Sequence, residues 1–145
     1  GPITASSYEK KIKNLIKEYK LEKKIIFSNA LYGDLKWGAI YVSKAMLLPS
    51  HGENFGVSLV ESLSLGRPVL TTHKVNIAKE ILKFKAGLIA KDEINSFAKI
   101  LKKFNKLNSN DLKKISNNAF NCFEKNFDLL SNKNSLGKLL KKNIS

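Results

Sequence analysis

The stretch Ala45-Met46-Leu47-Leu48-Pro49-Ser50-His51-Gly52-Glu53-Asn54-Phe55-Gly56-Val57-Ser58-Leu59-Val60-Glu61 decides how the chain is read, together with its continuation Ser62-Leu63-Ser64-Leu65-Gly66-Arg67-Pro68-Val69-Leu70-Thr71. The apolar run 45–48 is too short for a helix and is closed by Pro49-Ser50, which predicts a buried strand. After a turn of small and polar residues, the spacing predicts a helix from about Phe55 to Leu65, stopped by Gly66. Pro68-Val69-Leu70-Thr71 then reads as a second strand. A strand, a helix and another strand in that order form the repeating unit of a parallel sheet covered by helices.

The alternation continues outward in both directions. Downstream, Asn76 to Phe84 predicts a helix, Gly87-Leu88-Ile89-Ala90 a strand, and Phe97, Ile100, Leu101 and Phe104 the inner stripe of a helix that Asp92 could cap. Leu112, Ile115, Ala119, Phe120 and Phe123 predict one more amphipathic helix, with Ser109-Asn110-Asp111 as its capping cluster. Upstream, Tyr8, Ile12, Leu15, Ile16 and Tyr19 mark a helix opening near Ser6 or Ser7, Ile25-Ile26-Phe27 a short buried strand, and Leu35, Ala39 and Val42 a helix from Asp34 that Gly38 weakens. Trp37 and Tyr41 stand at helical spacing and are expected to pack. A weaker helix over Leu136 to Ile144 ends a tail, residues 128–145, rich enough in Lys, Asn and Ser to fray. The expected organisation is a single α/β domain over residues 1–145.

Composition narrows the function classes. The 145 residues carry 26 Lys plus Arg against 12 Asp plus Glu, a formal charge of +14, with 43% hydrophobic residues. That is enough apolar material for a core and excludes a disordered polybasic tail, while two full enzyme domains would not fit. The basic excess is 25 Lys and one Arg, Arg67, beside 15 Asn. Base-reading proteins favour Arg for its fork on guanine, and single-strand binders interleave aromatics with cations, so no specific nucleic-acid partner is expected. No apolar stretch reaches the roughly 18 residues that span a bilayer, and the N-terminus lacks a signal-peptide pattern. A cytoplasmic chain is expected, with peripheral contact to an anionic membrane as a role for the lysines. Cys122, between Phe120 and Phe123, has no Cys or His partner at metal-ligand spacing and reads as a buried apolar thiol, so no metal site is expected.

The candidate site is the segment from Ser50 to Glu61. It follows a strand's C-terminal end, the edge of an open parallel sheet where ligands bind, and its helix start would turn unpaired N–H groups and a positive dipole end toward an anion. Glu53 lies in the loop and Glu61 inside the helix, an arrangement suited to a phosphate with sugar hydroxyls on either side. On spacing alone this is weakly specific, and Glu61 by itself reads as a residue of a solvated helix face.

The wording of the segment adds more. Pro49-Ser50, then Glu53-Asn54-Phe55-Gly56 with Glu61 eight positions after Glu53, then Gly66-Arg67-Pro68-Val69, closely resembles the donor-binding motif of the group 1, or family 4, glycosyltransferases. The resemblance runs on through Gly1-Pro2, Ile25-Ile26-Phe27, Asp34-Leu35, Asn76-Ile77-Ala78-Lys79-Glu80-Ile81 and Gly87-Leu88, covering most of the chain. It implies the C-terminal half of a GT-B enzyme, a Rossmann-like domain whose first strands lie upstream of Gly1 and whose acceptor-binding N-terminal partner domain is absent. It implies a retaining transferase that takes a sugar from a nucleotide-diphosphate sugar to a polysaccharide or lipid-linked acceptor, with no cofactor and no metal, and a fragment inactive by itself. By the same resemblance Glu53 is the catalytic-site acid near the transferred sugar, Asn54, Phe55, Gly56 and Val57 contact sugar and diphosphate, and Glu61 accepts from the ribose hydroxyls. Two departures stand out. The family's basic pair after the domain's first strand has no counterpart, and Asn29 occupies a position where members usually have Gly, which leaves the nucleotide base open.

Around that core, Ser50, His51, Gly52, Thr72 and His73 are candidates to line the cleft. A loop histidine without a fixed partner reads as exposed, so His51 is not assigned catalysis. Ser50 has no His–Asp pair to make it a nucleophile. Arg67, before a strand and so at the end opposite the cleft, reads as structural, and Glu80 as a surface or helix-dipole residue. Two rivals to the transferase are a basic nucleic-acid-binding module and a Rossmann-like scaffold that has lost its ligand.

Overall fold

The computed structural model describes residues 6–128. They form two compact units divided between Gly38 and Ala39. In the first, α1 (Ser6–Glu18) opens where the periodicity places it, and its Glu9 and Lys13 pair at 2.5 Å one turn apart. Lys20 ends it in the left-handed conformation at φ 54°, and Leu21 N–H returns to the Ile16 carbonyl at 2.8 Å. Ile25-Ile26-Phe27 does not form the expected strand. Ile25 N–H instead closes a turn onto the Leu21 carbonyl at 3.0 Å, and Ile26 is exposed. A three-residue apolar run has no period of its own and becomes a strand only beside a partner strand, and none pairs with it among the described residues. Helix α2 (Gly33–Val42) starts one residue before Asp34.

The second unit is built on a parallel sheet of β1 (Met46–Leu48), β2 (Val69–Thr72) and β3 (Gly87–Ala90), in that spatial order. Met46 pairs with Val69 and Leu48 with Thr71; Val69 pairs with Gly87 and Thr72 with Ala90. Every residue of the central strand β2 is buried, which is why it reads as a continuous apolar and Thr run without alternation. Helix α3 (Val57–Ser64) connects β1 to β2, and α4 (Ala78–Phe84) connects β2 to β3. Then α5 (Ile94–Asn105) lies against β3 and β2, and α6 (Ser109–Asn126) packs against α3 and α4.

The core follows from these stripes. Leu59 and Leu63 of α3, Val69 of β2, Ile81 of α4, and Ala119 and Cys122 of α6 are fully buried in one cluster. Each buried Leu or Ile there contributes about 1.5–3 kcal/mol of transfer free energy. Small Ala119 and Cys122 let α6 approach closely at the point of contact. At the end of α3, Gly66 N–H bonds the Leu63 carbonyl and Arg67 N–H the Ser62 carbonyl, both at 2.9 Å, the paired closure of a helix ending on Gly.

Two expected caps are corrected. Helix α5 begins after Glu93 with no side-chain cap, because Asp92 is engaged elsewhere, and α6 is capped by Asn108, whose Oδ1 accepts from Asp111 N–H at 2.9 Å, one residue before the expected cluster. Glu80 is not a plain surface residue. Its Oε2 is buried without a hydrogen-bond partner among the described residues. The Leu136 to Ile144 helix, the 128–145 tail beyond Asp128, and Gly1-Pro2 lie outside the described residues.

Candidate functional site

The C-terminal ends of β1 and β2 place the site. Thr71 Oγ1 donates to the Leu48 carbonyl at 2.8 Å, and Thr72 Oγ1 to the Ser50 carbonyl at 2.5 Å. Thr72 is 2% exposed, so its hydroxyl fastens the loop after β1 to β2 from inside. Ser50 Oγ donates to the Gly52 carbonyl at 3.0 Å and tightens the turn that follows. Further on, Glu53 forms an isolated parallel bridge with Val75, and Asn76 N–H donates to its carbonyl at 3.3 Å. The loop that carries Glu53 is thus held at the Ser50 and Glu53 backbones, while the side chains of His51 and Glu53 remain exposed.

Gly56 is the pivot into α3. It is the residue before the helix, in the left-handed conformation at φ 66° and ψ 54°, and its carbonyl accepts from Leu59 and Val60 N–H at 2.8 and 3.2 Å. A Cβ there would sit 3.3 Å from Val75 Cγ1 and 3.4 Å from Leu59 Cδ1, so both the backbone conformation and the space call for glycine. The helix starts at Val57, two residues later than the periodicity suggests, because Phe55 belongs to the turn. The N–H groups of Gly56, Val57 and Ser58 find no backbone acceptor among the described residues. They form the donor set of a helix N-terminus, at the positive end of its dipole.

Glu53 and Glu61 therefore stand on either side of this N-terminus: Glu53 three residues before Gly56 on the pinned loop, half-buried Glu61 in the second turn of α3. Phe55, between them in sequence, is half exposed, its ring edge-on to Phe127 with centroids 6.0 Å apart at 86°. At the neighbouring strand ends, His73 N–H donates to the Ala90 carbonyl at 3.0 Å, and a hollow of about 580 Å³ is lined by His73, Lys74, Lys91, Asp92 and Glu93. Among the described residues no three His, Cys, Asp or Glu side chains converge as a metal site, and no helix is long and apolar enough to cross a membrane.

The structure brings Ser50, His51, Gly52, Glu53, Asn54, Phe55, Gly56 and Val57 onto one continuous loop and helix start, with Thr72 beneath it and His73 on the next strand end. It gives His51 a partner that the sequence did not suggest. His51 Nδ1 lies 2.7 Å from Asp92 Oδ1, across 41 residues of sequence. The signal was topological, since both residues follow parallel strands and such strands end on one edge. Phe127 was also outside the sequence candidates. Its signal is the continuation of the α6 stripe, four residues after Phe123. Arg67 sits as expected away from this edge, its guanidinium 5.1 Å from the Tyr41 ring centroid. Tyr41 and Trp37 are partly exposed, and each carries a cation against its ring, Arg67 and Lys36 respectively.

Solved structures with a similar fold include sucrose-phosphate synthase from Thermosynechococcus elongatus, at TM-score 0.71 and 17% identity, covering 95% of this chain and 35% of that one. WaaG, a glycosyltransferase involved in lipopolysaccharide biosynthesis, matches at TM-score 0.70 and 19% identity, over 85% of this chain and 32% of that one. The C-terminal domain of a glycosyl transferase group 1 family protein, LpcC, from Francisella tularensis matches at TM-score 0.73 and 20% identity, over 86% of this chain and 64% of that one. The chain thus spans about a third of the first two and under two thirds of the third. No curated protein matches it closely in sequence. The sequence model for glycosyl transferases group 1 matches residues 3–121, nearly the whole of the described chain, and the chain belongs to that family.

Proposed function

We propose that this chain is the donor-binding domain of a retaining glycosyltransferase, which takes a sugar from a nucleoside-diphosphate sugar to a polysaccharide or lipid-linked acceptor held by a second domain. The observation that carries the reading is the pair Glu53 and Glu61 set on either side of the Gly56 turn, with the amides of Gly56 to Ser58 turned away from any backbone acceptor among the described residues. In this reading Glu53 faces the hydroxyls of the transferred sugar, the backbone of Asn54 to Val57 lies along sugar and diphosphate, and Glu61 accepts from the ribose hydroxyls. Ser50, His51, Gly52 and His73 line the approach, and Thr72 holds the loop from below.

The chemistry is consistent with those places. Breaking the bond from sugar to phosphate leaves negative charge on the diphosphate while the sugar carbon becomes cation-like. Amides fixed at a helix N-terminus oppose the first charge without reorganising, and a carboxylate beside the sugar favours the second. No metal or cofactor enters this chemistry, and the second domain supplies the acceptor. The lysine excess would favour work beside an anionic membrane surface on the cytoplasmic side.

The test is calorimetric titration of UDP, GDP and ADP into the 145-residue chain and into its Glu61→Ala variant at moderate salt. One nucleotide binding the first and at least tenfold more weakly the second is expected, since the ribose contacts are charge-assisted hydrogen bonds worth about 1.5–3 kcal/mol. Equal binding by both proteins, or salt-sensitive binding of nucleic acid in its place, would overturn the reading.

A further inference from the structure

Between the Glu53 bridge and the Gly56 pivot, the loop has two residues, Asn54 and Phe55, and neither enters a backbone hydrogen bond among the described residues. What meets this span is an aromatic ring from the far end of the sequence. Phe55 and Phe127 are in edge-to-face contact, 6.0 Å between centroids at 86°, the geometry in which the positive edge of one ring meets the negative face of the other. Phe127 is itself well held. It stands directly after α6, its N–H bonds the Phe123 carbonyl at 2.8 Å, and Asp128 N–H bonds the same carbonyl at 3.0 Å. Asn126 Nδ2 donates to the Cys122 carbonyl at 2.8 Å, and Cys122 and Ala119 fix α6 in the core. One ring is therefore anchored on a rigid helix, and the other belongs to a span with no backbone hydrogen bond among the described residues.

We propose that Phe127 is a positioning residue for the donor loop: by holding the Phe55 ring it sets where the Asn54–Val57 backbone stands, and with it the reading of the second phosphate and the sugar. This rests on the donor-binding reading above. Glu61 is placed differently, on α3, whose Leu59 and Leu63 are fully buried. Helix α3 is held by these core residues as well as by α6, so ribose recognition responds less to the loss of Phe127 than the Asn54–Val57 span does, and the two parts of one nucleotide respond differently.

That difference gives the test. The diphosphate and the monophosphate of the same nucleoside are titrated into the wild-type chain and into Phe127→Ala, Phe127→Leu, Phe127→Tyr and Phe55→Leu, with a thermal melt of each. The expected result is that Phe127→Ala and Phe127→Leu lower the diphosphate-to-monophosphate affinity ratio about two- to tenfold, the range of an aromatic pair, while monophosphate affinity stays within about twofold. Phe127→Tyr keeps the ring and the ratio. Phe55→Leu gives the same loss, and the Phe55→Leu, Phe127→Leu double variant loses no more than either alone. A role in stability only would lower the melting temperature and leave the ratio unchanged, or weaken both nucleotides together, and either outcome overturns the inference. If wild type binds a nucleotide in a Glu61-dependent way and the ratio ignores Phe127, this inference alone fails. If wild type binds neither nucleotide, the donor-binding reading fails and this one with it.

Discussion

His51 Nδ1 and Asp92 Oδ1 meet at 2.7 Å, joining the loop after β1 to the loop after β3 across the end of the central strand. A carboxylate can only accept, so the geometry requires the proton on Nδ1 of the imidazole. The His51 side chain is 91% exposed, and water and salt screen the pair. Asp92→Ala is therefore expected to lower the melting temperature by less than about 2 °C, an effect that vanishes at about 1 M salt. A melt showing a larger, salt-independent drop would mean that the pair carries structure.

Thr72 is the stronger tie of the same loop. Its hydroxyl donates to the Ser50 carbonyl and accepts from Lys74 N–H at 3.3 Å, all at a buried position. Thr72→Val keeps the shape and leaves those groups unsatisfied, so a loss of about 1–3 kcal/mol is expected in a denaturant titration. The neighbouring Thr71→Val removes a bond to Leu48, inside β1, in place of one to the loop. Both variants should lose similar stability, but only Thr72→Val should also weaken nucleotide binding. Equal binding losses in the two would count against Thr72 as the fastener of the site.

How much of this was legible beforehand varies with the physics involved. The strands at 46–48, 69–72 and 87–90 were readable because each is a short apolar run bounded by breakers, and α5 because Phe97, Ile100, Leu101 and Phe104 repeat at helical spacing. Glu53 and Glu61 stood out by their spacing in a motif. What was not legible depended on contacts distant in sequence. Ile25-Ile26-Phe27 looks like a strand until a partner strand is required of it. Asp92 looks like a cap because Asx residues before a helix usually are, and local pattern carries nothing of His51 41 residues earlier. Phe127 has the same history: a stripe residue by period, it meets Phe55 only when α6 folds back along α3.

Gly87 marks a close approach of two strands. A Cβ built on it would lie 1.9 Å from the Val69 carbonyl oxygen and 2.9 Å from its carbon, both backbone atoms of the fully buried central strand. No rotamer relieves that contact, so Gly87→Ala must part β2 from β3. A destabilisation above about 4 kcal/mol is expected, enough to leave most of the chain unfolded or insoluble on expression. Gly52→Ala, where an added Cβ meets nothing within 4 Å, is the control and should remain folded. A well-folded Gly87→Ala protein with a native melting temperature would contradict the register of β2 and β3.

Cys122 makes the stability depend on alkaline pH. Burial in the core, then the charge of Glu80, push its thiol up from 9.0 to about 11, while the Asn126 side chain pulls weakly the other way. The protonated thiol is neutral, so below pH 9 folded and unfolded chains both keep the proton and the cysteine adds no pH dependence. Between about 9 and 11 the unfolded chain releases it while the folded chain retains it, and stability falls as pH rises, by at most about 1.4 kcal/mol per pH unit. Above that window the folded thiol ionises too and the slope from this group ends. Denaturant titrations at pH 8, 9 and 10 should show the decline in wild type, and a shallower one in Cys122→Ala, whose offset at pH 8 reports only the lost sulfur packing. The same burial makes thiol reagents at pH 8 react only through opened molecules, so that a mild denaturant accelerates labelling. Fast labelling of the native protein, or identical pH slopes with and without the thiol, would show that α6 does not seal Cys122 against α3 and α4.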